Sequence, residues 1–163
     1  MGLQAAYTRI DEATLDRLTD LDPDHLVDEI DRLEEGGAPT TYLDKMWDGL
    51  HFALTGVPAS APIEGDRLSE AVVGVHAFDS DDFIGCTEAG ELTAIVTALE
   101  AVDIDAVLAR QDFAAFAAAE VYPSVWGEDP VRLRADLAEA FALLVEAHRA
   151  AASAGDHLLV TIF

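Results

Sequence analysis

Leu3, Ala5 and Tyr7 alternate with Gln4, Ala6 and Thr8, a period of two that predicts a first strand. The period then lengthens. Asp11 opens a short helix carrying Leu15 and Leu18 on one face. Asp22 is placed to cap the next helix, Pro23 suits its first position, and Leu21 can staple to Leu26. Leu26, Ile30 and Leu33 follow at helical spacing until Gly36-Gly37 ends the run. A third helix is expected from a Thr41 cap, with Leu43, Met46, Trp47, Leu50 and Leu54 as its stripe and Gly56 and Pro58 as its terminators.

Residues 57–67, VPASAPIEGDR, read as a surface loop from their Pro, Gly and Ser content. A short helix over Leu68–Val73 stops at Gly74, a strand is expected over Val75–Phe78, and Asp79–Asp82 is a polar turn. The next amphipathic helix carries Leu92, Ile95, Val96, Leu99 and Val102, and shorter ones follow at Ile104–Arg110 and Phe113–Ala119. Tyr122-Pro123 forces the backbone out of helix. Asp129-Pro130 starts the last helix, with Leu133, Leu137, Phe141, Leu144 and Val145 inward and Gly155 at its close. His157–Phe163 is a nearly continuous apolar run, the pattern of a strand buried on both faces. The expected fold is a helix-rich α+β single domain, residues 1–163, with a small sheet formed by the N-terminal strand, a middle strand and the C-terminal strand.

Charge narrows the partners. The chain has 32 Asp plus Glu against 9 Lys plus Arg, a formal net charge of −23. No Lys/Arg cluster exists to meet phosphates, so nucleic acid is not expected, and anionic membrane surfaces repel such a chain. A basic protein partner is the complement to it. No basic-then-apolar leader opens the sequence and no run of about 18 apolar residues occurs, so a cytoplasmic location is expected. Cys86 is the one cysteine, which excludes an intramolecular disulfide and a multi-thiolate zinc site.

The densest reactive set lies in the third helix, where Asp48, His51 and Thr55 are spaced three and four apart and share a face. A carboxylate one turn before an imidazole can orient it, the minimum of an acid–base pair. The same two residues can instead satisfy each other or nearby backbone at a helix junction. Asp44 beside them does not complete a metal site without a donor from elsewhere, so neither metal nor cofactor is expected. Asp20, Asp22, Asp24 and Asp31 have part of a calcium-loop spacing, but His25 stands where that loop needs Gly and Pro23 marks a helix start. Asp79, Asp81 and Asp82 lack the downstream Glu. Cys86 precedes a helix start but sits among Phe83, Ile84 and Gly85, and is expected to be a small buried side chain. Glu91 opens that helix, and no phosphate loop or nucleophile elbow is present.

The segment Asp44-Lys45-Met46-Trp47-Asp48-Gly49-Leu50-His51-Phe52-Ala53-Leu54-Thr55-Gly56 resembles the signature of the YfbM-like proteins, small bacterial proteins grouped as a domain of unknown function. Met1-Gly2 before an aromatic-containing strand, Gly74 with His76, Tyr122-Pro123 and Gly155-Asp156-His157-Leu158 agree with the same pattern, over essentially the full length. The resemblance implies a compact α+β fold and brings no reaction, substrate or cofactor.

Two functions remain open. One is a non-catalytic binding protein for a protein partner. The alternative is an enzyme or small-ligand binder with a cleft around Trp47, Asp48, His51, Thr55 and Tyr122, in which His51 is the acid–base and Asp48 its orienter, with His76, Glu91 and His157 as further candidates.

Overall fold

β1 (Ala5–Ile10) and β5 (His157–Ile162) pair antiparallel along their whole length, placing the first and last strands side by side at the centre of one sheet. Three more strands complete it: β2 (Thr40–Asp44), β3 (His76–Ala77) and β4 (Phe83–Thr87), in the order β2-β1-β5-β4-β3 with every pair antiparallel. The structure is a computed structural model and describes residues 2–163; Met1 lies outside the described residues.

Both faces of this sheet are covered, which explains the run of buried residues in β5. On one face, α1 (Glu12–Thr19) and α2 (Pro23–Glu35) bring Leu15, Leu18, Leu26 and Ile30 onto Ile10, Ile84, Cys86 and Leu159. On the other lie α3 (Trp47–Thr55), α4 (Arg67–Val73), α5 (Ala89–Glu100) and the long α8 (Pro130–Ala154), packed on Ala5, Tyr7, Leu158, Val160 and Ile162. Two short helices, α6 (Ile104–Ala109) and α7 (Phe113–Ala118), close that side with Leu108, Phe113 and Phe116. The α+β, helix-rich class and the sheet uniting N-terminal, middle and C-terminal strands are as expected. Ala6 and Thr8, assigned to the polar side of β1 by alternation, are buried as well because α1 and α2 cover that face.

Two strands depart from expectation. Thr40–Asp44 is an edge strand, and the third helix begins at Trp47 instead of after Thr41. Leu43 and Trp47 mimic one helical turn, but Asp44 adopts φ 52°, which ends the strand and turns the chain into α3. Phe83–Thr87 is also a strand, paired with both β3 and β5. It contains Gly85, where a Cβ would stand 2.5 Å from the Val73 carbonyl oxygen, so glycine lets the end of α4 close onto the sheet.

Much of the acid serves the helices. Asp11, Asp66, Asp103, Asp112 and Asp129 each accept a hydrogen bond from a first-turn backbone N–H. Asp22 occupies the cap position of α2 without a side-chain hydrogen bond, and Glu88 with Glu91 forms a capping box on α5. These caps account for part of the carboxylate excess without invoking a ligand.

Candidate functional site

The helix α3 positions Trp47, Asp48, His51 and Thr55 as their spacing implies, yet each side chain is committed to backbone outside the helix. Asp48 is buried, and its carboxylate accepts from the Ala59 N–H (2.7 Å) and the Tyr122 N–H (2.8 Å). It thereby ties two loops, eleven and seventy-four residues away, to one helix turn. It does not hydrogen-bond His51.

His51 is fully enclosed, at 0% exposure. Its Nδ1–H donates to the Val57 carbonyl (2.8 Å), which leaves Nε2 to accept from the Ser69 hydroxyl (2.8 Å). Ser69 Oγ in turn accepts from the Ile63 N–H (2.9 Å). Burial pushes the His51 pKa below its ordinary 6.5, partly offset by the Val57 carbonyl, Asp48 and Asp66. The imidazole is therefore a neutral bridge between the ends of the 57–66 loop. Thr55 Oγ1 donates to the His51 carbonyl (2.7 Å) and accepts from the Val57 N–H beyond the helix (3.3 Å), and Glu70 accepts from the Gly65 N–H (3.1 Å) while pairing with Arg67 (2.7 Å). The loop expected from composition is thus laced to α3 and α4. This lacing encloses the Asp48 and His51 side chains, which were expected to border a cleft.

Ser69 and His51 have a hydroxyl–imidazole geometry that elsewhere activates a nucleophile. Here Ser69 is itself at 0% exposure, and its oxygen is already engaged by the Ile63 N–H. Sequence spacing did not single out Ser69 or Glu70; the cap at Asp66 was the signal that could have pointed to them.

Aromatic packing completes the block. Trp47 stacks on Tyr122 with ring centroids 5.7 Å apart and donates from Nε1 to the Leu3 carbonyl (3.3 Å). Trp126 packs against Phe113 and Phe116 and donates to the Val121 carbonyl (2.8 Å). Gly49 lies under it: an added Cβ would stand 2.3 Å from Trp126 Cη2. Because that indole is held on both sides, Gly49→Ala is expected to lower stability by about 1–3 kcal/mol by overpacking. Chemical denaturation checks this, and an unchanged midpoint would show that Trp126 can move aside.

The remaining candidates are elsewhere. His76 Nε2 pairs with both Glu91 oxygens (2.9 and 3.1 Å) at the exposed end of the sheet, with Glu88 at 4.0 Å. His157 is buried; its Nδ1 accepts from the Ala89 N–H (2.9 Å) and its Nε2–H donates to Glu12 (2.6 Å). It joins α1 and α5 to β5 and does not approach the Asp48 block through any hydrogen bond. Cys86 lies inside β4, its thiol pushed up to about 12 by burial and further by Glu88 and Glu91, which suits a packing role. Among the described residues, no group of three or more His, Cys, Asp or Glu side chains is placed to hold a metal ion, and no helix is long and apolar enough to cross a membrane.

A groove of about 460 Å³ lies between the end of β2, the 123–128 segment and α8. None of the eight candidates lines it. Leu43, Met46, Leu133 and Leu143 supply its apolar floor; Asp44, Glu128, Asp136 and Glu139 supply carboxylates against Lys45 and Arg132. Arg132 already pairs with Asp136 (3.8 Å), so the rim is acidic on balance. A second concavity of about 280 Å³ between α4 and β3 includes His76 alone of the eight.

Comparison with known proteins fits this picture of a shared scaffold. Protein YfbM of Escherichia coli (strain K12) is 32% identical over 167 residues, spanning 99% of each chain. The crystal structure of that protein of unknown function from Escherichia coli superposes with a TM-score of 0.78 at 28% identity, over 98% of this chain and 99% of the other. The model of the domain of unknown function DUF1877 matches residues 1–161. The chain therefore belongs to the DUF1877 family.

Proposed function

We propose that this protein is a non-catalytic binding protein of the bacterial cytoplasm whose partner is a basic protein, held in the groove between β2 and α8. One contrast carries the reading. The groups most suited to chemistry, Asp48, His51, Ser69 and His157, are spent on tying loops and helices together, whereas the groove between β2 and α8 has an apolar floor and an acidic rim open to solvent. An apolar anchor set in a pocket with charges around it is how protein interfaces combine affinity with selectivity. The net charge of −23 adds long-range steering toward a basic surface.

Reversing two rim charges, Glu128→Lys with Glu139→Lys, tests this by affinity capture at low salt. Both side chains are exposed, so the fold is expected to be unaffected. The reading predicts that a basic partner retained by the wild type binds roughly tenfold more weakly to the variant and elutes early as salt rises. Equal retention by wild type and variant would remove the groove from the interaction.

A further inference from the structure

The main chain of β2 adds a second recognition element to that groove. In the β1–β2 ladder, Thr8, Tyr7 and Ala6 lie opposite Thr40, Thr41 and Tyr42, and the Arg9 N–H donates to the Pro39 carbonyl (2.9 Å). Antiparallel pairs alternate, so Tyr7 and Thr41 form the next hydrogen-bonded pair while Thr8–Thr40 and Ala6–Tyr42 do not. The other side of β1 agrees: Gln4 and Phe163 exchange both main-chain hydrogen bonds (3.3 and 3.2 Å), which directs residues 4, 6 and 8 toward β5. The N–H and C=O groups of Thr40 and Tyr42 therefore point away from the sheet.

That direction is open. β2 is the terminal strand, and Tyr42 is 50% exposed. The 460 Å³ groove borders the end of β2 and the turn after it at residues 42–46, and a further concavity of about 240 Å³ borders its start at residues 39–41, both against α8. An exposed edge of this kind is a template for one more strand. A strand laid there would turn alternate side chains toward Leu43 and Leu143, and the residues between them toward the opposite face, where Glu34 of α2 accepts from the Tyr42 hydroxyl (3.0 Å).

Building on the binding reading above, we propose that an extended segment of the basic partner adds to the β2 edge as a sixth strand, its apolar side chains turned to the groove floor and its Lys or Arg side chains turned to the opposite face beside Glu34. Charge selects this occupant over a second copy of the chain. Pairing β2 with itself would bring two molecules of charge −23 together and set Glu139 and Glu146 of α8 near their own copies.

A synthetic peptide of about seven residues alternating lysine and valine is the probe. At low salt it should bind the wild type and slow hydrogen exchange at the Thr40 and Tyr42 amides by at least tenfold. Tyr42→Pro removes the outward donor at a position whose N–H makes no bond to β1, and edge strands tolerate such a proline. It should weaken binding at least tenfold, whereas Tyr42→Ala, which keeps the donor, should stay within about threefold of wild type. If the proline variant does not fold, exchange in the wild type decides. Binding indifferent to Tyr42→Pro, equal loss in Tyr42→Ala, or unprotected Thr40 and Tyr42 amides would overturn strand addition and leave the groove as a side-chain contact surface. No binding by the wild type would overturn both readings.

Discussion

Asp48→Asn is expected to lower stability by about 2–4 kcal/mol, through the loss of one charge-assisted hydrogen bond and the weakening of the other. The two carboxylate oxygens accept from the N–H groups of Ala59 and Tyr122, both within 2.8 Å, in a site of 6% exposure. An amide of the same shape presents one acceptor and one NH₂. Whichever way it turns, a backbone N–H then faces another donor with no water to replace the lost partner. For a chain of this size the melting temperature should fall by roughly 5–12 °C. Glu128→Gln, at an exposed rim position, should leave it within a degree or two. A full loss of partner binding in Asp48→Asn with an unchanged melting temperature would instead assign Asp48 to recognition.

The second large effect is on the acid side of neutrality. His148 is buried in α8, donating from Nδ1 to the Leu144 carbonyl (2.8 Å) with Tyr7 beside its ring. Burial lowers its pKa from 6.5 to about 4, the carbonyl opposing only part of that. The unfolded chain therefore takes up this proton before the folded one does. Its contribution to stability is complete above pH 6.5 and drains away as pH falls toward 4. At about 1.4 kcal/mol per pH unit the loss reaches about 3 kcal/mol, and the buried His51 pushes in the same direction. Protonation of surface carboxylates relieves self-repulsion over part of the same range, so the difference between wild type and His148→Leu is the useful quantity. That variant should gain about 3 kcal/mol on the wild type between pH 7.5 and 4 in urea titrations. A difference independent of pH would mean that His148 stays uncharged, or becomes charged, equally in both states.

The third helix illustrates which physical signals a linear sequence carries. Spacing placed Asp48, His51 and Thr55 on one face of α3, and the structure keeps them there. What spacing does not carry is the partner. The groups that claim Asp48 and His51 are backbone atoms of the 57–66 loop and of Tyr122, with the Ser69 hydroxyl, all reached through tertiary folding. A polar pair that looks catalytic in one dimension becomes a knot between three segments. His157 follows the same logic: its apolar surroundings identified β5, but not the helix end of α5 or Glu12 that it joins.

β2 shows the converse difficulty. Thr40, Thr41 and Tyr42 are strand formers, yet Leu43, Met46 and Trp47 continue them at helical spacing, and the break at Asp44 depends on a backbone angle. β4 is short, contains a glycine and is buried within the sheet, so no alternation marks it. The groove is not legible in the linear pattern, since its walls come from β2, whose spacing mimics a helix, and from α8.

The central proposal is that the Asp48–His51 segment holds the structure together and is closed to substrates. Nitrogen-detected NMR of the His51 ring tests it most directly. The expected result is an uncharged imidazole protonated at Nδ1, persisting below pH 6.5, with its ring signals unmoved by added small molecules. A His51 that titrates with a midpoint near or above 6.5 and exchanges freely with solvent would contradict the account.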